Sequence, residues 1–137
     1  MATIETIYLG DLRTEINHVQ SGNKVITDAP TDNNGKGEYI SPTDMVAAAL
    51  GSCIVTIMEM AAARHDVDLK GTKIVIDKIM AAEPRRIAEI KVDFYFPGDY
   101  SDKIKTILQR AADTCPVAKS LHPDLKQSIN FHYNSGE

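Results

Sequence analysis

The stretch SPTDMVAAALGSCIVTIMEMAAAR, residues 41–64, decides the fold. Ser41 can cap the free amides of a helix, Pro42 suits the first helical position, and Asp44 in the first turn complements the helix dipole. A helix is therefore predicted to open at Pro42 and to end near His65-Asp66. Its interior is apolar on most sides, with Met45, Val46, Leu50, Ile54, Val55, Ile57, Met58 and Met60 set among alanines. That is the pattern of a helix covered nearly all round. A small domain can scarcely bury such a helix alone, and Ala47, Ala48, Ala49, Gly51 and Ser52 permit close approach of a second helix. A homodimer is expected.

Upstream of the helix, Ile4 to Tyr8 and Leu12 to Asn17 alternate with a period near two, with turns at Gly10-Asp11 and Ser21-Gly22-Asn23, and Asn23 to Thr27 makes a third strand. The segment from Asp28 to Gly37 is dense in turn formers and reads as a surface loop that belongs near a site. Downstream, Thr72 to Ala81 and Ile87 to Phe96 read as a hairpin of longer strands joined through Glu83-Pro84-Arg85. Ser101 caps a second amphipathic helix through Thr114, a short helix starts at Pro116, and Gln127 to Tyr133 closes as a strand. Strands in runs separated by helices point to α+β with antiparallel sheets, not a doubly wound parallel sheet.

The 137 residues suit a single domain, residues 1–137. Apolar content of 43% and charged content of 25% are those of a globular protein, and 15 basic against 19 acidic residues argue against a nucleic-acid partner. The opening MATIETIYLG lacks the features of a signal peptide, and no uninterrupted apolar run reaches the roughly 18 residues that span a bilayer. A cytoplasmic location without membrane attachment is expected. Two cysteines in a reducing compartment rest as thiols, so a disulfide between them would be transient and catalytic. Their spacing fits no close metal-ligand pair, and neither a metal nor an organic cofactor is expected.

Cys53 interrupts the apolar helix, and Cys115 directly precedes Pro116. Proline pushes its predecessor out of helical geometry, so Cys115 is predicted at a helix N-cap, where free amides favour a thiolate. Cys53 lies about three turns into its helix, beyond reach of the dipole. It needs a cation from elsewhere, and Arg13 is the best candidate, because a guanidinium stays charged when partly buried and its fork can donate to a thiolate and to a peroxide oxygen. The four histidines are scattered, so a Cys-His acyl-transfer enzyme has no local spacing to support it.

Together, Ser41-Pro-Thr-Asp-Met-Val-Ala-Ala-Ala-Leu-Gly-Ser-Cys53 and, far downstream, Asp113-Thr-Cys-Pro-Val-Ala-Lys-Ser-Leu121 resemble the OsmC/Ohr family of thiol peroxidases, which reduce organic hydroperoxides. The resemblance covers essentially the whole chain. It implies antiparallel sheets packed around a long central helix in an intertwined homodimer, with Cys53 as the peroxidatic and Cys115 as the resolving cysteine, Arg13 as the activating cation, and a dithiol reductant such as a lipoylated protein. Many Ohr members carry a glutamate after the Asn-Pro that opens the helix, to orient the arginine. Here Thr43 stands at that position, and Asp44 and Glu38 are the nearest acids, which suggests a divergent OsmC-like branch rather than Ohr proper. The alternative is a non-catalytic or regulatory dimer that keeps the fold and binds a small apolar ligand.

Overall fold

The computed structural model describes residues 1–134. In chain order it has β1 (Ile4–Gly10), β2 (Arg13–His18), β3 (Lys24–Asp28), α1 (Pro42–Ala63), β4 (Lys73–Ala81), β5 (Arg86–Tyr95), α2 (Asp102–Ala112), α3 (Pro116–Ser120) and β6 (Lys126–His132). The chain divides into two compact units, Met1 to Val46 and Ala47 onward.

In the first unit, β1, β2 and β3 form an antiparallel sheet in that order. The β1–β2 turn consists of Asp11 and Leu12, both at positive φ (54° and 65°), as two-residue hairpin turns demand. The Tyr8 hydroxyl accepts the Leu12 N–H at 3.2 Å and holds this unfavourable geometry in place. Arg13 is thereby fixed as the first residue of β2, directly opposite Asp28. The loop after β3 winds through a 3-10 turn at Thr31–Asn33. It closes so tightly that a Cβ at Gly35 would lie 1.7 Å from the Ala29 carbonyl oxygen, which admits no other residue without rearrangement.

Helix α1 opens as the sequence predicts. The Asp44 N–H donates to Ser41 Oγ at 3.0 Å and the Ser41 N–H donates to Asp44 Oδ2 at 3.1 Å, a reciprocal capping box with aspartate in the role glutamate usually takes. By length and composition α1 could cross a membrane, a test that core helices of soluble proteins also pass, and only a third of its most apolar window is buried.

In the second unit, α1 turns Leu50, Ile54, Met58 and Ala62 inward at four-residue spacing. They join Ile90, Val92 and Phe94 of β5 and Leu108 and Ala112 of α2 in one buried core. Each large side chain so covered contributes roughly 1.5–3 kcal/mol relative to exposure. At Gly51 the helix comes close to β4: a Cβ there would stand 2.7 Å from Ile76 Cδ1 and 3.1 Å from Ile74 Cγ2.

The sheet of this unit is ordered β4-β5-β6. The β4–β5 hairpin is antiparallel as expected, but β6 runs parallel to β5, with Val92 opposite Ile129 and Phe94 opposite Phe131. The α+β class holds, and the purely antiparallel sheet is corrected to a mixed one. The reason is the crossover: α2 and α3 carry the chain back to the starting end of β5, and parallel pairing needs a connection of this length.

Candidate thiol site

The cysteines, separated by 62 residues of sequence, come close enough in the second unit for the Cys53 thiol to act on the Cys115 pKa. Cys53 sits half-buried on α1 and Cys115 is 0% exposed. Cys115 is the N-cap of α3, with an extended ψ of 119°, and its Sγ accepts the Ala118 N–H at 3.5 Å. Pro116 follows as the first helical residue and enforces that geometry.

The expectation that the helix end would favour a Cys115 thiolate is corrected. Burial pushes the thiol above its ordinary range, the Ala118 and Val117 amides pull it down, and the hydrogen bond and charge of Cys53 raise it further. Burial dominates because α3 has only five residues and little dipole to oppose desolvation. Cys115 therefore keeps its proton and can present an S–H to its neighbour. In the same unit, Ile54, Ala112, Ala118, Gln109, Lys119 and Gln127 help to line a cavity of about 390 Å³. Gln127 of β6 ties this region together by donating to the Ala118 carbonyl at 3.0 Å.

The cationic group lies in the first unit. Arg13 Nη2 contacts Asp28 Oδ2 at 3.4 Å and makes a very short ion pair with Glu38 Oε1. The Arg13 Cζ lies 5.0 Å from the centroid of the Tyr39 ring. Desolvation works against the guanidinium charge, but the hydrogen bond to Glu38 and the charges of Glu38 and Asp28 outweigh it and raise the Arg13 pKa further above its already high value. Of the two acids expected near Arg13, Glu38 meets it directly, whereas Asp44 closes the helical cap. Asp28 and Tyr39 were missed by sequence reading. Asp28 looked like the start of a polar loop, and only the pairing of β2 with β3 sets it opposite Arg13.

The histidines serve other partners. His18 bonds Ser21 at 2.6 Å, His122 lies 3.9 Å from Asp124, and His132 meets Asp93 at 2.9 Å while stacking on Tyr95. Among the described residues no cluster of three metal-ligating side chains occurs.

Among solved structures, a protein of Psychrobacter arcticus 273-4, provisionally named an osmotic stress induced and detoxification response protein, is 47% identical, with 96% of each chain covered and a TM-score of 0.92. The organic hydroperoxide resistance protein OsmC of Legionella pneumophila is 13% identical with a TM-score of 0.75, covering 96% of this chain and 98% of its own. The organic hydroperoxide resistance protein of Elizabethkingia anophelis is 15% identical, covers 98% of both chains and has a TM-score of 0.70. The last two share the fold. A search of curated proteins gives no match. Residues 35–130 match the family described as OsmC-like protein, a span that includes both cysteines and most of the fold, and the chain belongs to that family.

Proposed function

We propose that this protein is a thiol peroxidase that reduces organic hydroperoxides to alcohols. The observation that carries the reading is the meeting of two thiols from distant parts of the chain, one partly accessible and one fully buried. A Cys53 thiolate attacks the distal peroxide oxygen, the O–O bond breaks, and the alkoxide leaves as alcohol after taking a proton. Cys53 is then a sulfenic acid. The Cys115 thiol condenses with it, forming a disulfide and releasing water. An external dithiol, such as a lipoyl group, gives up two electrons and two protons to restore both thiols and becomes a disulfide itself.

In this reading Arg13 is the cation that serves Cys53 and the reacting oxygen. Its persistent charge and fork geometry suit both tasks. The apolar side chains flanking Cys53 on α1 favour a bulky alkyl hydroperoxide over hydrogen peroxide, because burying the alkyl tail is rewarded. A homodimer is part of the proposal. Ile4, Ile7, Leu9 and Leu12 are each at least half exposed around β1, and Met60 of α1 is 58% exposed, an amount of uncovered apolar surface that suits a partner chain. A reducing compartment suits the cycle, since the resting enzyme needs both thiols free.

The test is stopped-flow consumption of cumene hydroperoxide with a dithiol reductant, with Cys53→Ser as control. Rapid turnover by the wild type, lost in the variant, supports the reading; equal rates for the two proteins end it. Mild hydroperoxide treatment also has a mass signature: loss of two hydrogens with Cys53 linked to Cys115. Unchanged thiols would instead favour a ligand-binding dimer.

A further inference from the structure

We propose that Asp28 is a positioning residue that fixes the Arg13 guanidinium from the sheet side, leaving Glu38 as the carboxylate that gives way to a reacting oxygen. The inference rests on the role of Arg13 proposed above, and it concerns how that role is prepared.

The two acids on Arg13 are not equivalent. Asp28 is 1% exposed, ends β3, and stands directly across the ladder from Arg13. Its backbone N–H donates to the Ile40 carbonyl at 3.1 Å, and its Oδ2 accepts both the Glu38 N–H at 3.2 Å and the Arg13 Nη2 contact at 3.4 Å. It is therefore fastened at backbone and side chain alike, and it holds the loop that carries Glu38 and Tyr39 to the end of β3. Glu38 reaches Arg13 from that loop with a side chain that is 55% exposed. An exposed ion pair is weakly held and readily exchanged with water or another anion, whereas withdrawing the partner of a buried carboxylate is strongly unfavourable.

Both carboxylates converge on Nη2. A guanidinium has five N–H donors in a rigid fork, and among the described residues no hydrogen bond from Arg13 Nε or Nη1 is seen. Replacing Glu38 with a substrate oxygen therefore leaves Arg13 anchored, because Asp28 and the Tyr39 face still hold it. Without Asp28 the guanidinium would depend on the exchangeable acid and on the face of Tyr39, both carried by the same loop.

The experiment compares Asp28→Asn and Glu38→Gln in the full chain by two readouts. One is nitrogen-detected NMR of the Arg13 side chain, whose separate Nη signals report restricted rotation about the guanidinium bond. The other is steady-state reduction of cumene hydroperoxide. Asp28→Asn is expected to merge the Arg13 Nη signals and to lower kcat about tenfold or more with a smaller change in KM. Glu38→Gln is expected to leave the Arg13 signals resolved and to act mainly on KM. The proposal is overturned if Asp28→Asn leaves signals and kcat as in the wild type, or if Glu38→Gln alone merges the signals. Should Asp28→Asn fail to fold, the Glu38→Gln spectrum decides: resolved signals support the proposal and merged ones overturn it. An Arg13→Ala variant with full activity would defeat the peroxidase role of Arg13 without touching the NMR result, so the two failures are separable.

Discussion

Replacing Gly51 with alanine sets two opposing effects of known size against each other. In a helix interior alanine is favoured over glycine by about 0.8–1.0 kcal/mol, so an unobstructed site on α1 would be stabilised by that amount. The added methyl, however, would lie 2.7 Å from Ile76 Cδ1, 3.1 Å from Ile74 Cγ2 and 3.4 Å from Ile76 Cγ1. Ile76 Cδ1 ends a flexible side chain and can move aside. Ile74 Cγ2 is a branch on Cβ, held by the stiff χ1 of a strand residue. Overpacking of this kind costs about 1–3 kcal/mol. The net expectation is a destabilisation of roughly 0–2 kcal/mol, centred near 1, which lowers Tm by about 0–7 °C, and by about 3–4 °C at the centre, in a chain of this size. Urea titration followed by circular dichroism measures it as a fall in midpoint at constant slope. The cause is isolated by Ile76→Val, which removes Cδ1. That change alone costs about 0.5–1.5 kcal/mol, and in combination with Gly51→Ala it should cost less than the sum. A rise in stability of about 1 kcal/mol for Gly51→Ala, or simple additivity in the double variant, would refute the close approach of α1 to β4.

Other outcomes follow from the site. Because burial raises the Cys115 thiol, the folded chain binds that proton more tightly than the unfolded chain does. Its contribution to stability is full below the unfolded thiol value of about 8.5 and is lost as pH rises through the higher folded value. The urea midpoint should therefore fall between pH 8 and pH 10 more steeply for the wild type than for Cys115→Ala; parallel profiles would contradict the assignment. At pH 8, a brief pulse of iodoacetamide followed by peptide mass mapping should label the partly accessible Cys53 well before the buried Cys115, and the reverse order would count against the geometry. Removing the cap by Ser41→Ala should cost about 1 kcal/mol in denaturant titrations, since it abolishes one arm of the reciprocal box and leaves a buried position unfilled. In Cys115→Ser, hydroperoxide should leave a sulfenic acid at Cys53 that dimedone traps stoichiometrically, whereas the wild type should pass on to the disulfide and trap poorly.

Local chemistry made much of this chain readable. Ser41, Pro42 and Asp44 announced the start of α1, Ser101 capped α2 as anticipated, and Pro116 betrayed the N-cap at Cys115, because caps and prolines act within a few residues. What escaped depends on partners distant in sequence. The direction of β6 is invisible in its own alternation, since a strand alternates identically whichever way its neighbour runs. The charge state of Cys115 was misjudged because the local amides were known and the burial was not. Asp28 was hidden for a related reason: a polar residue beside a turn-rich loop is ordinarily solvated, and only the register of β2 on β3 turns it into a buried counter-ion.

The parallel pairing of β6 also orders events in time. β6 supports α3 through Gln127, and Cys115 caps α3, yet β6 is translated after everything it braces. A ribosome releases Cys53 and its helix long before the strand that steadies the second sulfur, and such non-local pairings form late. The emerging polypeptide thus passes through most of its synthesis with its two thiols apart, and the setting they share in the fold arrives only with the closing of the sheet.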